Sequence, residues 1–190
     1  MSACAAFAVL VVLVGMGVAT LGHHDAAFTS QPLTGVATTE APANEFTSAE
    51  QQVVQLLPPG YTASSCTRAT NPFPDSLASL DCTDDMNSDT PDYARFTLYS
   101  NLASLTADFY ATADGMTVSS CPGGNASPGT WDYGSNPGHA GKVVCGMIED
   151  RADIAWTRDA QLLLATINGA PSLDDLYQWW QRYGGASGSS

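Results

Sequence analysis

Positive charge is scarce in this chain. Its 190 residues include 6 Lys and Arg against 19 Asp and Glu, which gives a formal net charge of −13. Proteins that follow a phosphate backbone need basic side chains, because much of their binding energy comes from the release of condensed counterions. The composition therefore argues against nucleic acid as a partner.

The chain also lacks the short motifs of several enzyme classes. It has no phosphate-binding loop, no dinucleotide fingerprint and no nucleophile elbow of the Gly-x-Ser-x-Gly type. The segment Asp85–Asp89 resembles the start of a calcium-binding loop, but Thr90 stands where that loop needs Gly, and Phe96 stands where it needs Glu. We therefore expect no metal and no cofactor, and we expect a protein that is not an enzyme.

Charged side chains are absent from residues 1–22. The apolar run Ala5–Leu21 is about as long as the roughly 20 residues that cross a bilayer as a helix. A cleaved signal peptide is the alternative, but its usual basic start and a closing Ala-x-Ala site are both missing. The sequence predicts an uncleaved transmembrane anchor over residues 1–22, although the first basic residue is Arg68 and no basic flank marks its orientation.

The cysteines supply the orientation that the missing basic flank does not. Four of them follow the apolar run, Cys66, Cys82, Cys121 and Cys145, and an even number behind a targeting segment is typical of disulfides in an oxidising compartment. Zinc is the rival use of four cysteines, but this chain has no Cys-x-x-Cys pair. Of the three connectivities we favour Cys66 with Cys82 and Cys121 with Cys145, since each pair then brackets one strand-like run and its neighbour. The domain that carries them is predicted to be extracytoplasmic.

The rest of the chain divides by composition. Residues 23–46 are rich in Ala and Thr, include two Pro and one Gly, and show no apolar periodicity, which is typical of a flexible tether. The globular domain is predicted over residues 47–183, and Thr47-Ser-Ala-Glu50 at its start has the spacing of a helix capping box. Residues 184–190 contain only Gly, Ala and Ser, so we expect a disordered tail or an added linker.

The domain is predicted to be α+β, with an antiparallel sheet, packed helices and two disulfides, preceded by one N-terminal transmembrane helix. Strand-like runs occur at residues 61–66, 77–82, 94–99, 116–121, 141–148, 154–157 and 162–167. The separators 149–153 and 158–160 are short and polar, which favours antiparallel hairpins. The run at 94–99 alternates in polarity and predicts a half-buried strand.

Two amphipathic helices are expected after the first. One is capped by Ser100 or Asn101 and is expected to place Leu102, Leu105, Phe109 and Tyr110 on the sheet. The other begins at Ser172, where Asp174 and Asp175 in the first turn suit the helix dipole. Its apolar stripe, together with Trp156, is expected to lie in the core.

Two sets of residues are candidates for a functional surface. Trp131 and Tyr133 follow a Gly- and Pro-rich loop, where exposed aromatic rings would suit a peptide, glycan or protein partner. His139, expected in a loop, and Asp132 are the only pair that we nominate for catalysis, and no evident nucleophile accompanies them. Asn125-Ala-Ser127 matches an N-glycosylation sequon, a pattern too short to carry weight.

The order of the residues resembles a known family. The segments that carry the resemblance are Leu56–Tyr61, Cys66, Leu80–Cys82, Phe96–Tyr99, Cys121–Gly123, Trp131, Gly141–Gly146, Ile154–Thr157 and Leu176–Trp180. Across about residues 48 to 183 the chain looks like the small extracytoplasmic, disulfide-bonded domain of actinobacterial, especially mycobacterial, single-pass membrane proteins, also found at the extracellular end of some receptor serine/threonine kinases. The resemblance implies a sensor or accessory module with its four cysteines in disulfide pairs, and it brings no assigned reaction.

These observations predict where the protein acts and how. We expect a single-pass protein of the cytoplasmic membrane whose C-terminal domain is extracytoplasmic and binds without catalysis, either as an accessory subunit of a membrane complex or as a sensor of an envelope ligand. An accessory subunit would pack the small residues Gly15, Gly17 and Ala19 against a protein partner in the membrane. The alternative is an extracytoplasmic hydrolase that acts on envelope material through His139 and Asp132.

Overall fold

The structure is a computed structural model that describes residues 45–84, 90–133 and 136–185. Its helices are α1 (Ser48–Gln55), α2 (Leu102–Asp114) and α3 (Leu173–Trp179), and one π-helical turn, Trp180–Gly184, continues α3. Its strands are β1 (Cys66–Arg68), β2 (Ser76–Thr83), β3 (Tyr93–Tyr99), β4 (Thr117–Ser119), β5 (Gly129–Tyr133), β6 (Asn136–Ile148), β7 (Arg151–Arg158) and β8 (Leu163–Asn168).

The strands form a single antiparallel sheet, which confirms the sequence-based prediction. Their order is β1-β2-β3-β8-β7-β6-β4, and β5 also pairs with β6. Strand β6 is long enough to hold two neighbours on one edge, because β4 pairs near Cys145 and β5 pairs from Val143 back to Asn136. The tight turn between β6 and β7 places Ile148 opposite Arg151, as the short separator predicts.

Helices cover both faces of this sheet. One apolar cluster joins Val53 of α1 and Leu176 of α3 to strand residues such as Ile154. A second cluster joins Phe109 of α2 to strand residues such as Ala155. Since successive side chains of a strand point to opposite faces, α1 and α3 lie on one face and α2 lies on the other. The α+β prediction is confirmed as a sheet between two helical layers.

Coverage of both faces corrects one prediction. The alternation at 94–99 predicts a half-buried strand, but Phe96 and Leu98 on one side and Thr97 and Tyr99 on the other are all buried. The polar Thr97 side chain is accommodated by a hydrogen bond of 2.8 Å between its hydroxyl and that of Ser79 on β2. Burial with a matched partner costs little, so polarity alone did not reveal the second helical layer.

Helix α1 begins as the capping box predicts. The Glu50 N–H donates to Thr47 Oγ1 at 3.3 Å, and the Thr47 N–H donates to Glu50 Oε2 at 2.6 Å. Glu50 also accepts hydrogen bonds from Arg68 of β1 at 2.7 and 2.9 Å. The carboxylate therefore caps the helix and ties it to the edge of the sheet.

Helix α2 buries a different stripe from the one expected. Asn101 caps it, and Leu105, Phe109 and Ala113 are buried, whereas Leu102 and Tyr110 are 47% and 48% exposed. Tyr110 lies about 100° around the helix from Phe109, since an α-helix has 3.6 residues per turn. Leu102 lies in the first turn, ahead of the buried contacts. The predicted stripe is therefore wrong at both of these positions.

Both disulfides have the predicted connectivity. Cys66 is bonded to Cys82 and Cys121 is bonded to Cys145. The first joins register partners on β1 and β2, and the second ties the chain just after β4 to β6. The loop that Cys121 opens also contacts α3, because Asn125 Nδ2 donates to the Pro122 carbonyl at 2.9 Å and to the Tyr177 hydroxyl at 3.1 Å.

Strand boundaries differ from the prediction in two regions. Residues 61–66 predict a strand, but a 3-10 turn occupies Ala63–Ser65 and β1 begins only at Cys66. Strand β5 and the first part of β6 lie where the sequence predicts a loop, so His139 is on a strand. Hydrogen bonding to a neighbour holds these residues extended despite their weak strand propensity.

Several sequence-based predictions lie outside the described residues. They are the anchor 1–22 with Gly15, Gly17 and Ala19, the tether 23–46 except for its last two residues, the Asp85–Asp89 segment, and all but the first two residues of the tail 184–190. Within the described part, no helix is both long enough and apolar enough to cross a membrane.

Candidate functional site

A cleft of about 440 Å³ opens at one end of the sheet. Its walls are the segment that leads into β3, residues 90–92, the turn that follows β8, residues 169–171, and α3 with its π-helical turn. Because Tyr93 at the start of β3 pairs with Asn168 at the end of β8, the first two walls are neighbours. We call this the α3 cleft.

Helix α3 presents one stripe of side chains to the cleft. Asp175, Gln178, Trp179 and Arg182 line it, and their spacing of i, i+3, i+4 and i+7 places them on one side of a helix. The first two and Arg182 are exposed, whereas Trp179 is 5% exposed and belongs to the core. The stripe therefore combines polar groups at the mouth with an aromatic ring in the floor.

Tyr61 fixes the wall that precedes β3. Its hydroxyl donates to the Pro91 carbonyl at 2.8 Å, and its ring packs edge-to-face on Phe96 and Trp179 with centroids 5.7 and 5.9 Å apart. Burial raises the pKa of the Tyr61 hydroxyl, and the nearby charges of Asp84 and Asp92 raise it further. The hydroxyl therefore stays protonated and keeps donating at physiological pH.

Gly169 sets the distance between the two sheet-end walls. Its φ of +92° is in the left-handed region, and a Cβ placed on it would lie 2.5 Å from the Cβ of Asp92. A larger residue would both strain the backbone and push Asp92 away. The position therefore requires glycine for two independent reasons.

Charges of both signs line the α3 cleft. Asp92 and Asp175 supply carboxylates, and Arg182 supplies a guanidinium. Asp175 Oδ2 accepts a hydrogen bond of 2.6 Å from the Ser172 hydroxyl, which uses only part of the acceptor capacity of a carboxylate. The Arg182 guanidinium carbon lies 5.6 Å from the centroid of the Tyr183 ring. The cleft can thus contact a positive and a negative group at once.

Trp131 does not form an exposed contact surface. It is 7% exposed, its Nε1 donates to the Thr157 carbonyl at 3.0 Å, and its ring packs edge-to-face on Trp180 at 5.8 Å. The surface prediction is therefore wrong for Trp131, because the pairing of β5 with β6 turns this ring into the core. The Tyr133 side chain lies outside the described part of the structure.

The nominated catalytic pair lies on neighbouring strands, but another carboxylate contacts the histidine. Asp132 and His139 are register partners of β5 and β6, whereas His139 Nδ1 lies 3.3 Å from Asp159 Oδ2. Asp159 also accepts a hydrogen bond of 2.6 Å from the buried Thr157 hydroxyl and lies 3.9 Å from Lys142 Nζ. The histidine is thus one member of a polar cluster centred on Asp159.

A buried carboxyl group lies on the face of the sheet that α2 covers, opposite α3. Asp153 is 2% exposed, its Oδ2 accepts a hydrogen bond of 3.3 Å from Asn168, and its Oδ1 has no hydrogen-bond partner within the described residues. Burial raises the pKa of Asp153 to about 7, although the Asn168 hydrogen bond and the charge of Arg151 oppose the rise. The sequence places Asp153 in a polar separator, and the structure corrects this to the interior of β7.

The described residues contain no group of three or more His, Cys, Asp or Glu side chains arranged to hold a metal ion. Comparison of the chain with protein-family models, curated proteins and solved structures finds no match. The resemblance to the actinobacterial extracytoplasmic domain therefore stays a prediction, and the functional argument depends on the geometry of the α3 cleft.

Proposed function

We propose that this protein is a membrane-anchored, extracytoplasmic binding module that acts without catalysis, as a sensor of an envelope ligand or as an accessory subunit of a membrane complex. The α3 cleft carries the proposal. Its volume of about 440 Å³ is within the range of roughly 300 to 1,000 Å³ that small-molecule sites occupy.

The construction of the cleft supports a preformed site. The buried hydrogen bond from Tyr61 to Pro91 and the glycine at position 169 fix two walls without a ligand. A site whose walls are already in place loses little conformational entropy on binding. This rigidity suits a sensor that must recognise a dilute ligand.

The predicted anchor and tether support the membrane part of the proposal. An apolar run of this length would hold the domain at the bilayer, and the predicted tether 23–46 would keep it within reach of the membrane surface. For an accessory subunit the contact surface would be Gly15, Gly17 and Ala19, whose small side chains let two membrane helices approach closely.

Purification of the native full-length protein from its membrane in mild detergent tests the proposal. Mass spectrometry would identify co-purifying proteins, and native mass spectrometry would detect a bound small molecule. A stoichiometric membrane complex that disperses in a Gly15→Leu, Gly17→Leu variant supports the accessory role. A small molecule lost in an Arg182→Gln variant supports the sensor role. The proposal is contradicted if the cell cleaves off residues 1–22 and releases the protein from the membrane, and if the released protein carries neither a partner protein nor a small molecule.

The hydrolase alternative has less support in the geometry. His139 contacts Asp159, and the Thr157 hydroxyl of that cluster is fully buried and donates to the same carboxylate. A nucleophile must reach both a base and a substrate, and this hydroxyl does not reach solvent. Loss of a measured envelope-hydrolysing activity in a His139→Ala variant would revive the alternative.

A further inference from the structure

Opposite charges share the α3 cleft, and this indicates the chemistry of its ligand. We propose that the cleft binds a short peptide with free ends, whose ammonium group contacts Asp92 and Asp175 and whose carboxylate contacts Arg182. This inference rests on the proposed function, since it needs the cleft to be a ligand site. It goes beyond that function by specifying the chemical class of the ligand.

The guanidinium of Arg182 is available for a ligand. Of the chain's 6 cationic residues, Arg68, Arg95 and Lys142 lie against Glu50, Asp81 and Asp159. Within the described part of the chain, Arg182 forms no ion pair with a carboxylate. A planar guanidinium at the mouth of a cleft matches a carboxylate in two-pronged geometry.

The charge of the protein favours a ligand that carries both signs. A net charge of −13 repels a simple anion, so a ligand carboxylate that reaches Arg182 gains from an ammonium group on the same molecule. The carboxylates of Asp92 and Asp175 line the same cleft and accept hydrogen bonds from such a group. A peptide with free ends carries both charges and separates them by its own length.

The size and floor of the cleft suit about three residues. A volume of about 440 Å³ is in the lower half of the range of roughly 300 to 1,000 Å³ that small-molecule sites occupy, which suits a tripeptide of small residues better than a longer peptide. Trp179, Pro91 and Pro171 supply apolar surface for its side chains. The buried Nε1 of Trp179 has no hydrogen-bond partner among the described residues.

Titration of the full-length protein in detergent micelles with trialanine tests the inference. Tryptophan fluorescence and calorimetry would follow binding. Three capped forms, the N-acetyl peptide, the C-terminal amide and the doubly capped peptide, remove the charges one at a time. We expect each single cap to weaken binding by about tenfold or more, because each removes a charge-assisted hydrogen bond.

Variants assign each end of the peptide to its side chain. Arg182→Gln is expected to weaken trialanine binding by about tenfold and to leave binding of the C-terminal amide unchanged. Asp92→Asn is also expected to weaken trialanine binding by about tenfold, and to leave binding of the N-acetyl peptide unchanged. The matched controls are Arg151→Gln and Asp174→Asn, which keep the charge changes but lie outside the cleft lining. Thermal unfolding would establish that every variant is folded.

Two outcomes would overturn the inference while the proposed function stands. One is equal affinity for trialanine and its doubly capped form, which would show that the charges at the peptide ends do not contribute to binding. The other is no trialanine binding by a protein that retains a different small molecule in native mass spectrometry. If neither trialanine nor any co-purified molecule or protein binds, the inference and the proposed function fail together.

Discussion

Asp153 carries a carboxyl group that folding moves from water into the interior of the sheet. The ordinary pKa of 3.8 applies in the unfolded chain, and burial raises the pKa to about 7 in the folded protein. At a pH between these two pKa values, the Asp153 carboxyl group has lost its proton in the unfolded chain and keeps it in the folded protein. Stability therefore falls as pH rises from about 4 to about 7, and above that range this group adds no further change.

Replacement of Asp153 by Asn is expected to remove this loss. The variant should equal the wild type near pH 4 and be more stable at pH 8, by up to about 4 kcal/mol, because a neutral amide carries no buried charge. Urea unfolding at several pH values would measure the difference. Asp150→Asn, which changes an exposed carboxylate in the adjacent turn, is the control. Parallel pH profiles for Asp153→Asn and wild type would show that Asp153 is not the cause.

Residue-level signals predicted some side chains better than others. The capping box of Thr47 and Glu50 was predicted because both partners are local in sequence. Asp153 was not predicted, since a carboxylate between Ala152 and Ile154 resembles a polar turn until β6 and β8 are placed on either side of it. Local chemistry is visible in the sequence, and burial by distant strands is not.

The start of α1 gives a test at the level of a single element. Thr47→Ala removes the acceptor for the Glu50 N–H and is expected to destabilise the protein by about 1 kcal/mol. Chemical denaturation would measure this cost. Ser48→Ala is the matched control, because Ser48 is exposed and lies inside the helix. A cost that is equal in both variants would mean that the cap contributes nothing.

Strand β1 has only three residues, so the Cys66–Cys82 disulfide that joins it to β2 is expected to hold it in place. The Cys66→Ala, Cys82→Ala double variant should lose about 3 kcal/mol of stability and exchange the β1 amides faster. Unfolding and hydrogen exchange would measure both effects. Cys4→Ala is the control, since Cys4 precedes the apolar run. Unchanged exchange in β1 would show that its pairing does not depend on the bond.

Among the elements, segments with an uninterrupted apolar pattern were predicted, and segments interrupted by Gly and Pro were not. Strands β2, β7 and β8 were expected from apolar runs that survive in the structure. Strand β5 and the first part of β6 were missed, because Asn136-Pro-Gly138 has the composition of a turn. Pairing between the two strands outweighs this composition, and pairing cannot be read from either segment alone.

At the scale of the whole molecule, net charge should set the response to salt. With 19 acidic against 6 basic side chains, repulsion is the larger long-range effect. Raising the salt concentration from about 10 to about 150 mM shortens the screening length, so the melting temperature should rise by a few degrees. Asp150→Lys should raise the melting temperature at low salt and make its increase with salt smaller. A melting temperature that falls with salt would show that the local ion pairs dominate.

The α3 cleft is also a property of the whole molecule, which explains why the sequence did not predict it. Its walls come from residues 90–92, 169–171 and the α3 stripe, and the pairing of Tyr93 with Asn168 brings the first two together. Asp175 lies in the first turn of α3, as the sequence predicts, and it also lines the cleft. Arg182 carried no signal, because a single arginine near a chain end is ordinary.

The hydrogen bonds of Asn125 have a practical consequence for the choice of expression host. Asn125-Ala-Ser127 matches the sequon for N-linked sugars, and a sugar linked to it would attach to the same Nδ2 atom that donates to the Pro122 carbonyl and to the Tyr177 hydroxyl. Attachment replaces one of its two hydrogens, so one of these bonds must break. Where Asn125 is glycosylated, protein secreted from yeast or mammalian cells would carry an altered link between this loop and α3, whereas protein from bacteria without this modification would keep it.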